Sequence, residues 1–467
     1  MNKTIFFTLI FFIGIYKVQA QKLRLPSFFS KNMVLQQQEN VNFWGWARAG
    51  QEVKILASWS KDTIKTITSG DAEWKTSILT PIAGGPYKIW FQSQDQEITL
   101  ENVMVGEVWL CSGQSNMQWS ALNNVKEMKE ALPSISNKNI RFLQISNIAA
   151  QNPQNDIYDK WTECDPKSAE AFSAIGYFFA ENLNKNLDIP IGIINTSWGG
   201  SAAEYWVPKE DILNDPELFK NSKLQKIAPR KPYQPSVLWN SMIHPFAGYN
   251  IAGALWYQGE DNTISYWGYD RLMQTLISSW RKAWNKEFPF YFVQIAPHSY
   301  KYEKPNAALL REQQAKTAIS ISKTGMVVTT DLVDNIKDIH PQRKRAVALR
   351  LADLALVNDY GFQKKDYQSP IYKDYIIEDD KIRIRFYHAE GKLQVKDKEM
   401  TGLYIAGNDH VFKPANFKIE NNELLVYSKE VPKPIAVRFG FSNTSMPNLF
   451  SSTGLPVSPF RTDSWGF

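Results

Sequence analysis

A chain of 467 residues is too long for one small domain, so two or three domains are expected. With 43% apolar and 21% charged residues the composition is globular, and aromatics are rich at 13%. The formal charge of +6 carries no block of Lys and Arg, which argues against nucleic acid as a partner.

The chain opens MNKTIFFTLIFFIGIYKVQA. Lys3 gives a short positive start, residues 5–16 have the length of a signal-peptide apolar core, and Val18-Gln19-Ala20 is a small-residue cleavage site. The rival reading is a retained membrane anchor, for which the stretch is short. Export with cleavage after Ala20 is therefore expected, to the periplasm or the exterior. No later segment is long and apolar enough to span a bilayer. Removing Lys3 and Lys17 lowers the charge to +4, and Gln21 leaves no Cys for a lipid anchor. The two cysteines, Cys111 and Cys164, could pair in an exported protein or remain buried thiols, and both readings stand.

Residues 21–102 read as a small β-sandwich. Val53, Ile55, Ala57 and Trp59 follow a period of two, and Ala-Gly-Gly-Pro at 83–86 marks a turn before another strand. From 103 to 360 the rhythm changes. Apolar strands at 103–110, 140–145, 191–194, 251–257, 288–295 and 325–329 alternate with amphipathic helices. One helix carries Tyr269, Leu272, Met273, Leu276, Ile277, Trp280 and Trp284 on one face; Phe172–Leu183 and Val347–Leu354 repeat the pattern. This alternation predicts an α/β fold, a parallel sheet covered by helices on both faces. Residues 361–467 return to β, and the tail has enough apolar anchors to pack on the body.

Sites in such folds gather beyond the carboxyl ends of the strands. There the sequence places Cys111-Ser112-Gly113-Gln114-Ser115-Asn116, Trp198-Gly199-Gly200-Ser201, Gln258-Gly259-Glu260-Asp261-Asn262, His298, and Asp338-Ile339-His340-Pro341. A serine nucleophile needs a base, a group that orients the base, and donors for an oxyanion. Ser115 is the expected nucleophile and His340 its base, with Asp338 two residues before. His298 is the rival base. The expected oxyanion donors are the backbone N–H of Ser115, a backbone N–H at Gly199 or Gly200, and the side-chain amides of Gln258 and Asn262. Ser112 and Cys111 are expected to pack. The Gly-x-Ser-x-Gly elbow is absent, because Met117 fills its last position. No histidine cluster has metal spacing, so neither metal nor cofactor is expected.

Taken in order, Gly113-Gln114-Ser115-Asn116, Gly199-Gly200-Ser201, Trp256-Tyr257-Gln258-Gly259-Glu260 and Asp338-Ile339-His340-Pro341 resemble the sialate O-acetylesterase family of the SGNH (GDSL-like) hydrolases. The likeness extends to Asn32-Met33-Val34-Leu35-Gln36, Leu310-Arg311-Glu312, Gly454-Leu455-Pro456 and Pro459-Phe460-Arg461-Thr462-Asp463, nearly the whole mature chain. It implies a three-layer α/β/α catalytic domain between β-rich flanks, and a metal-free serine esterase that removes acetyl groups from sugar hydroxyls. It also implies Glu260 as a second candidate for orienting His340. The wider group places its Asp three residues before the His, where this chain has Lys337. O-acetylated sialic acid is the first substrate reading and acetylated xylan the second. A non-catalytic sugar-binding protein is the reading of another class. Trp198, Tyr257 and Arg311 are the candidate substrate contacts; for the aromatics core packing is the competing role, and for Arg311 a structural ion pair.

Overall fold

The computed structural model describes residues 22–467 apart from Lys226, Arg230 and Tyr302. The expected signal segment lies outside the described residues. No helix among the described residues is long and apolar enough to cross a membrane.

One strand organises the molecule. Gln96–Gly113 is 18 residues long, roughly 60 Å of extended chain. In its first half buried and exposed positions mix, and it pairs antiparallel with Gly84–Ser93. From Val103 onward every residue is buried. That change marks passage from a sheet with one wet face to a parallel sheet covered on both. The expected boundary at 102 thus falls inside a single strand.

Ahead of it, Asn40–Trp46 pairs with Glu73–Leu79, and Glu52–Ala57 pairs with Ile64–Ile67 and Gly84–Ser93. These two layers enclose Phe43, Val53, Ile55, Trp74, Ile89 and Phe91. Their core is continuous with that under one face of the central sheet. The flank is therefore packed onto the body.

The central sheet has the order Thr324–Val327, Phe290–Val293, Gly253–Tyr257, Gln96–Gly113, Ile191–Asn195, Asn137–Gln144, Thr162–Cys164. All neighbours are parallel except the last, which pairs antiparallel. Helices Ala174–Leu187 and Lys344–Asn358 pack together over one face; Tyr269–Trp284 and Asn306–Ser320 cover the other. The apolar stripe expected on Tyr269–Trp284 is buried along its length. Asn306–Ser320 shows no comparable stripe in the sequence, because its buried face includes Arg311, Gln314 and Thr317.

The C-terminal region forms antiparallel sheets around Ile382, Ile384, Val426, Val437 and Phe439. Its tail is pinned as expected. Arg438 makes a two-pronged pair with the buried Asp463, at 2.7 and 2.8 Å. Arg461 does the same with Glu312, at 3.0 and 3.1 Å, so the tail docks on helix Asn306–Ser320. The motifs Leu310-Arg311-Glu312 and Phe460-Arg461-Thr462 meet for this reason. Cys111 and Cys164 are both free and buried, and burial raises both thiols well above their ordinary pKa.

Candidate active site

The strand Gln96–Gly113 ends at the sheet's carboxyl edge and turns sharply into the short helix Ser115–Gln118. The turn depends on Gly113. Its φ is +129°, and a Cβ there would lie 2.2 Å from the Tyr257 carbonyl oxygen. Gly113→Ala is therefore expected to destabilise the fold by about 2 kcal/mol or more and to displace Ser115. A lowered urea midpoint, together with a lost hydrolysis rate, would check this. Gln114 locks the turn further: its N–H donates to Tyr257 O at 3.0 Å, and its Oε1 accepts from the N–H of Gly259 at 3.3 Å.

Ser115 stands at the first helical position, where backbone N–H groups have no intrahelical partner. Its Oγ lies 2.9 Å from His340 Nε2. The two residues are 225 positions apart in the chain. Three contacts hold the loop that carries His340. Arg350 grips Asp331 at 2.8 and 2.6 Å at its start. The Ser299 N–H and hydroxyl both donate to Ile336 O, at 2.8 and 3.1 Å. Asp338 Oδ1 accepts from the His340 N–H at 2.9 Å.

Asp338 Oδ1 also lies 3.7 Å from His340 Nδ1, long for a hydrogen bond but close enough for charge attraction. The Trp119 ring stacks on the imidazole, with centroids 3.7 Å apart and planes at 21°. Burial, then the nearby Lys344 charge, push the His340 pKa down to about 4, against the attraction of Asp338. The imidazole is thus neutral at neutral pH and able to accept the Ser115 proton. The partner of the Ser115 hydroxyl is His340 and not the rival base His298, whose backbone N–H donates to Asn443 O at 3.0 Å and whose ring sits edge-on to Tyr300.

Gly199 borders Ser115; a Cβ on it would lie 3.3 Å from Ser115 Cβ. Its N–H donates to Gln118 Oε1 at 2.7 Å, so that side chain must move before this N–H can meet an oxyanion. Gly200, at φ +70°, faces Lys231 instead.

Several expected roles are corrected. Gln258 and Asn262 are fully buried, and their amides serve each other and the core. Gln258 Nε2 donates to Ser201 O and Asn262 Oδ1, at 3.1 and 2.7 Å. Asn262 Nδ2 donates to Glu204 Oε2 at 2.9 Å and Ser265 Oγ at 3.4 Å. Both N–H bonds of each amide are used, which leaves none for an oxyanion. Tyr257 is 1% exposed and packs in the core, with Lys344 Nζ 5.7 Å from its ring centre. Arg311 is 0% exposed and donates to the Ser442 carbonyl, so it pins the C-terminal region. Glu260 bonds Asn116, not the imidazole: its Oε1 accepts from Asn116 Nδ2 at 2.5 Å. Trp198 keeps a place beside the site, at the rim of a groove with Lys231, Tyr233 and Val237.

Asn116 and Lys344 were not assigned roles from the sequence. Asn116 lies within the Gly-Gln-Ser-Asn stretch, and Lys344 lies four residues after His340. Only proximity to those motifs could have singled them out.

Residues 105–356 match the family described as carbohydrate esterase, sialic acid-specific acetylesterase. The chain is 28% identical to the human sialate O-acetylesterase over 94% of this chain and 92% of that protein. The rat sialate O-acetylesterase is also 28% identical, over 94% of each. A carbohydrate acetylesterase from Xanthomonas citri has a crystal structure that superposes with a TM-score of 0.86 at 32% identity, covering 95% of this chain and all of that one. The likeness takes in the β-rich flanks as well as the α/β/α body. The chain belongs to the sialic acid-specific acetylesterase family of carbohydrate esterases and is a carboxylic ester hydrolase.

Proposed function

We propose that this protein is an exported serine esterase that removes O-acetyl groups from carbohydrate through an acetyl-Ser115 intermediate. The observation that carries the mechanism is the 2.9 Å contact between Ser115 Oγ and a neutral His340 Nε2. Ser115 attacks the acetyl carbonyl while His340 takes its proton. The oxyanion is met by the Ser115 N–H and, once Gln118 swings away, by the Gly199 N–H. Such donors are worth about 2.7–4 kcal/mol each in the transition state. The sugar oxygen leaves with the proton from His340. Water then attacks the acetyl group while His340 takes its proton, and the bond to Ser115 breaks as His340 returns that proton to Oγ, releasing acetate. The apolar leader ending at Ala20 supports export to the periplasm or beyond.

The names of the mammalian relatives support O-acetylated sialic acid as substrate. The groove beside Ser115 favours a second reading, an acetylated neutral polysaccharide such as xylan. Trp198 and Tyr233 offer ring faces for a sugar. The Lys231 ammonium is neutralised by Asp261 at 2.7 Å, so it offers little to a sialic carboxylate.

Acetate release from O-acetylated sialic acid and from acetylated xylan, followed by acid quench and peptide mass analysis, tests both levels. The expected result is acetate from at least one substrate and one acetyl group trapped on the peptide carrying Ser115. Failure to release acetate from either, or from a small acetyl ester, would overturn the catalytic reading in favour of sugar binding alone.

A further inference from the structure

Behind the serine lies a buried polar cluster that the acyl-transfer steps do not use. Asn116 follows Ser115, and its side chain is spent on three partners. Nδ2 donates to Glu260 Oε1 at 2.5 Å and to the Ile339 carbonyl at 3.0 Å; Oδ1 accepts from Lys344 Nζ at 2.6 Å. Both N–H bonds of the amide are used, and its orientation is unambiguous. A flipped amide would set its NH2 against an ammonium and its oxygen against a carbonyl oxygen. Asn116, Glu260 and Lys344 are 1%, 6% and 1% exposed. They come from three strand-end segments: the nucleophile helix, the turn Glu260–Ser265, and the first position of helix Lys344–Asn358.

The backbone connections give this cluster a purpose. Asn116 is the residue after the nucleophile, and Ile339 is the residue before the base. The Nδ2 contact to Ile339 O is a strut between the two chains that must meet. Such a strut matters here because the carboxylate of Asp338 stands 3.7 Å from the imidazole and spends its short hydrogen bond on the His340 backbone. Burying an acid and a base is costly, and a fold that needed only volume would fill the space with apolar side chains. Burial raises Glu260 to about 7 and lowers Lys344 to about 7.

We propose that Glu260, Asn116 and Lys344 form a positioning unit, in which the acid and the base lock the Asn116 amide so that it holds the His340 loop against Ser115. The proposal rests on the serine-esterase reading above. None of the three is expected to touch the reacting atoms.

The test is steady-state kinetics on the full mature chain, with Ser115→Ala as control. Asn116→Ala and Lys344→Met are each expected to lower kcat about 100-fold, as misplacement of reacting groups by about 1 Å does, with KM nearly unchanged. Glu260→Ala should lose a similar factor. Glu260→Gln keeps a carbonyl acceptor for Asn116 and should recover most of that loss. Lys344→Met carries a further signature. Around His340 the charged and titratable groups are Lys344, Asp338 and His298. Removing the Lys344 charge should raise the imidazole pKa and move the acid limb of kcat/KM to higher pH. Because a loosened fold would also hydrate the imidazole and raise its pKa, the readout that separates positioning from loosening is the recovery of activity in Glu260→Gln over Glu260→Ala.

Wild-type kcat in folded Asn116→Ala or Lys344→Met would overturn the proposal while leaving Ser115 in place. So would a Glu260→Gln loss as deep as that of Ser115→Ala, because Glu260 would then take part in the chemistry. If either buried variant fails to fold, the Glu260→Ala and Glu260→Gln pair decides. Retained activity in Ser115→Ala would instead sink the serine reading beneath it.

Discussion

Ser115→Ala is expected to lower kcat for acetyl-ester hydrolysis by about 10⁵-fold or more, with the fold unchanged. The size follows from the unit behaviour of a nucleophile and its base. Without an attacking oxygen, His340 has nothing to deprotonate, and only oxyanion and binding contributions remain. The structural cost is small, because Ser115 is only half-buried and its hydroxyl's contact is to His340. One such hydrogen bond contributes about 1 kcal/mol. Thermal denaturation should therefore give nearly coincident curves for the two proteins. A Ser115→Ala/His340→Ala double variant should be no slower than the worse single variant, since the two act together. Additive losses would mean that they serve separate steps.

The second large effect is in pH. His340 acts as a base only when neutral, so activity must be present above its pKa and lost below it. With that pKa pushed down to about 4, kcat/KM should hold its plateau at pH 5, where an ordinary histidine is mostly protonated, and fall only near pH 4. The leading cause is burial, to which the Trp119 stack contributes. Trp119→Ala should expose the ring to water, favour its charged form, and move the acid limb toward 6.5. A profile of kcat/KM from pH 3.5 to 8 for both proteins checks this. A wild-type limb already near 6.5 would mean that the imidazole is hydrated in solution.

The architecture was legible because its signals are local and repeated. Apolar runs ending in Gly, Ser and Asn marked the strands' carboxyl ends, and the 3.6-residue stripe on Tyr269–Trp284 marked a helix that is buried as the pattern required. Strand limits were less legible. The strand read at 103–110 spans Gln96–Gly113, because its first half obeys sandwich periodicity and its second the unbroken burial of a parallel sheet.

Within the site, Ser115 and His340 could be singled out because their chemistry is carried by residue type at a strand end, whereas Asp338, read as the acid that orients His340, spends its short hydrogen bond on that residue's backbone N–H. Gln258, Asn262, Tyr257 and Arg311 were assigned donor or contact roles on the same grounds, and their surroundings took those roles away. An amide written at a strand end donates wherever its rotamer points, and in both amides that is toward the core. Asn116 and Lys344 went the other way. An ordinary Asn after the serine and one Lys among several near His340 acquire meaning only when their side chains meet.

The sequence by itself determined which residues can attack, accept a proton or span a sheet, since those properties belong to the side chain and to hydrophobic spacing along the chain. The tertiary structure alone decided which of them are partners. It brought Ser115 and His340 together across 225 positions, spent the Gln258 and Asn262 amides on a buried network, and set an acid and a base on either side of Asn116. The physical reason is that hydrogen bonds and desolvation act through space over a few ångströms, and sequence separation does not measure that distance.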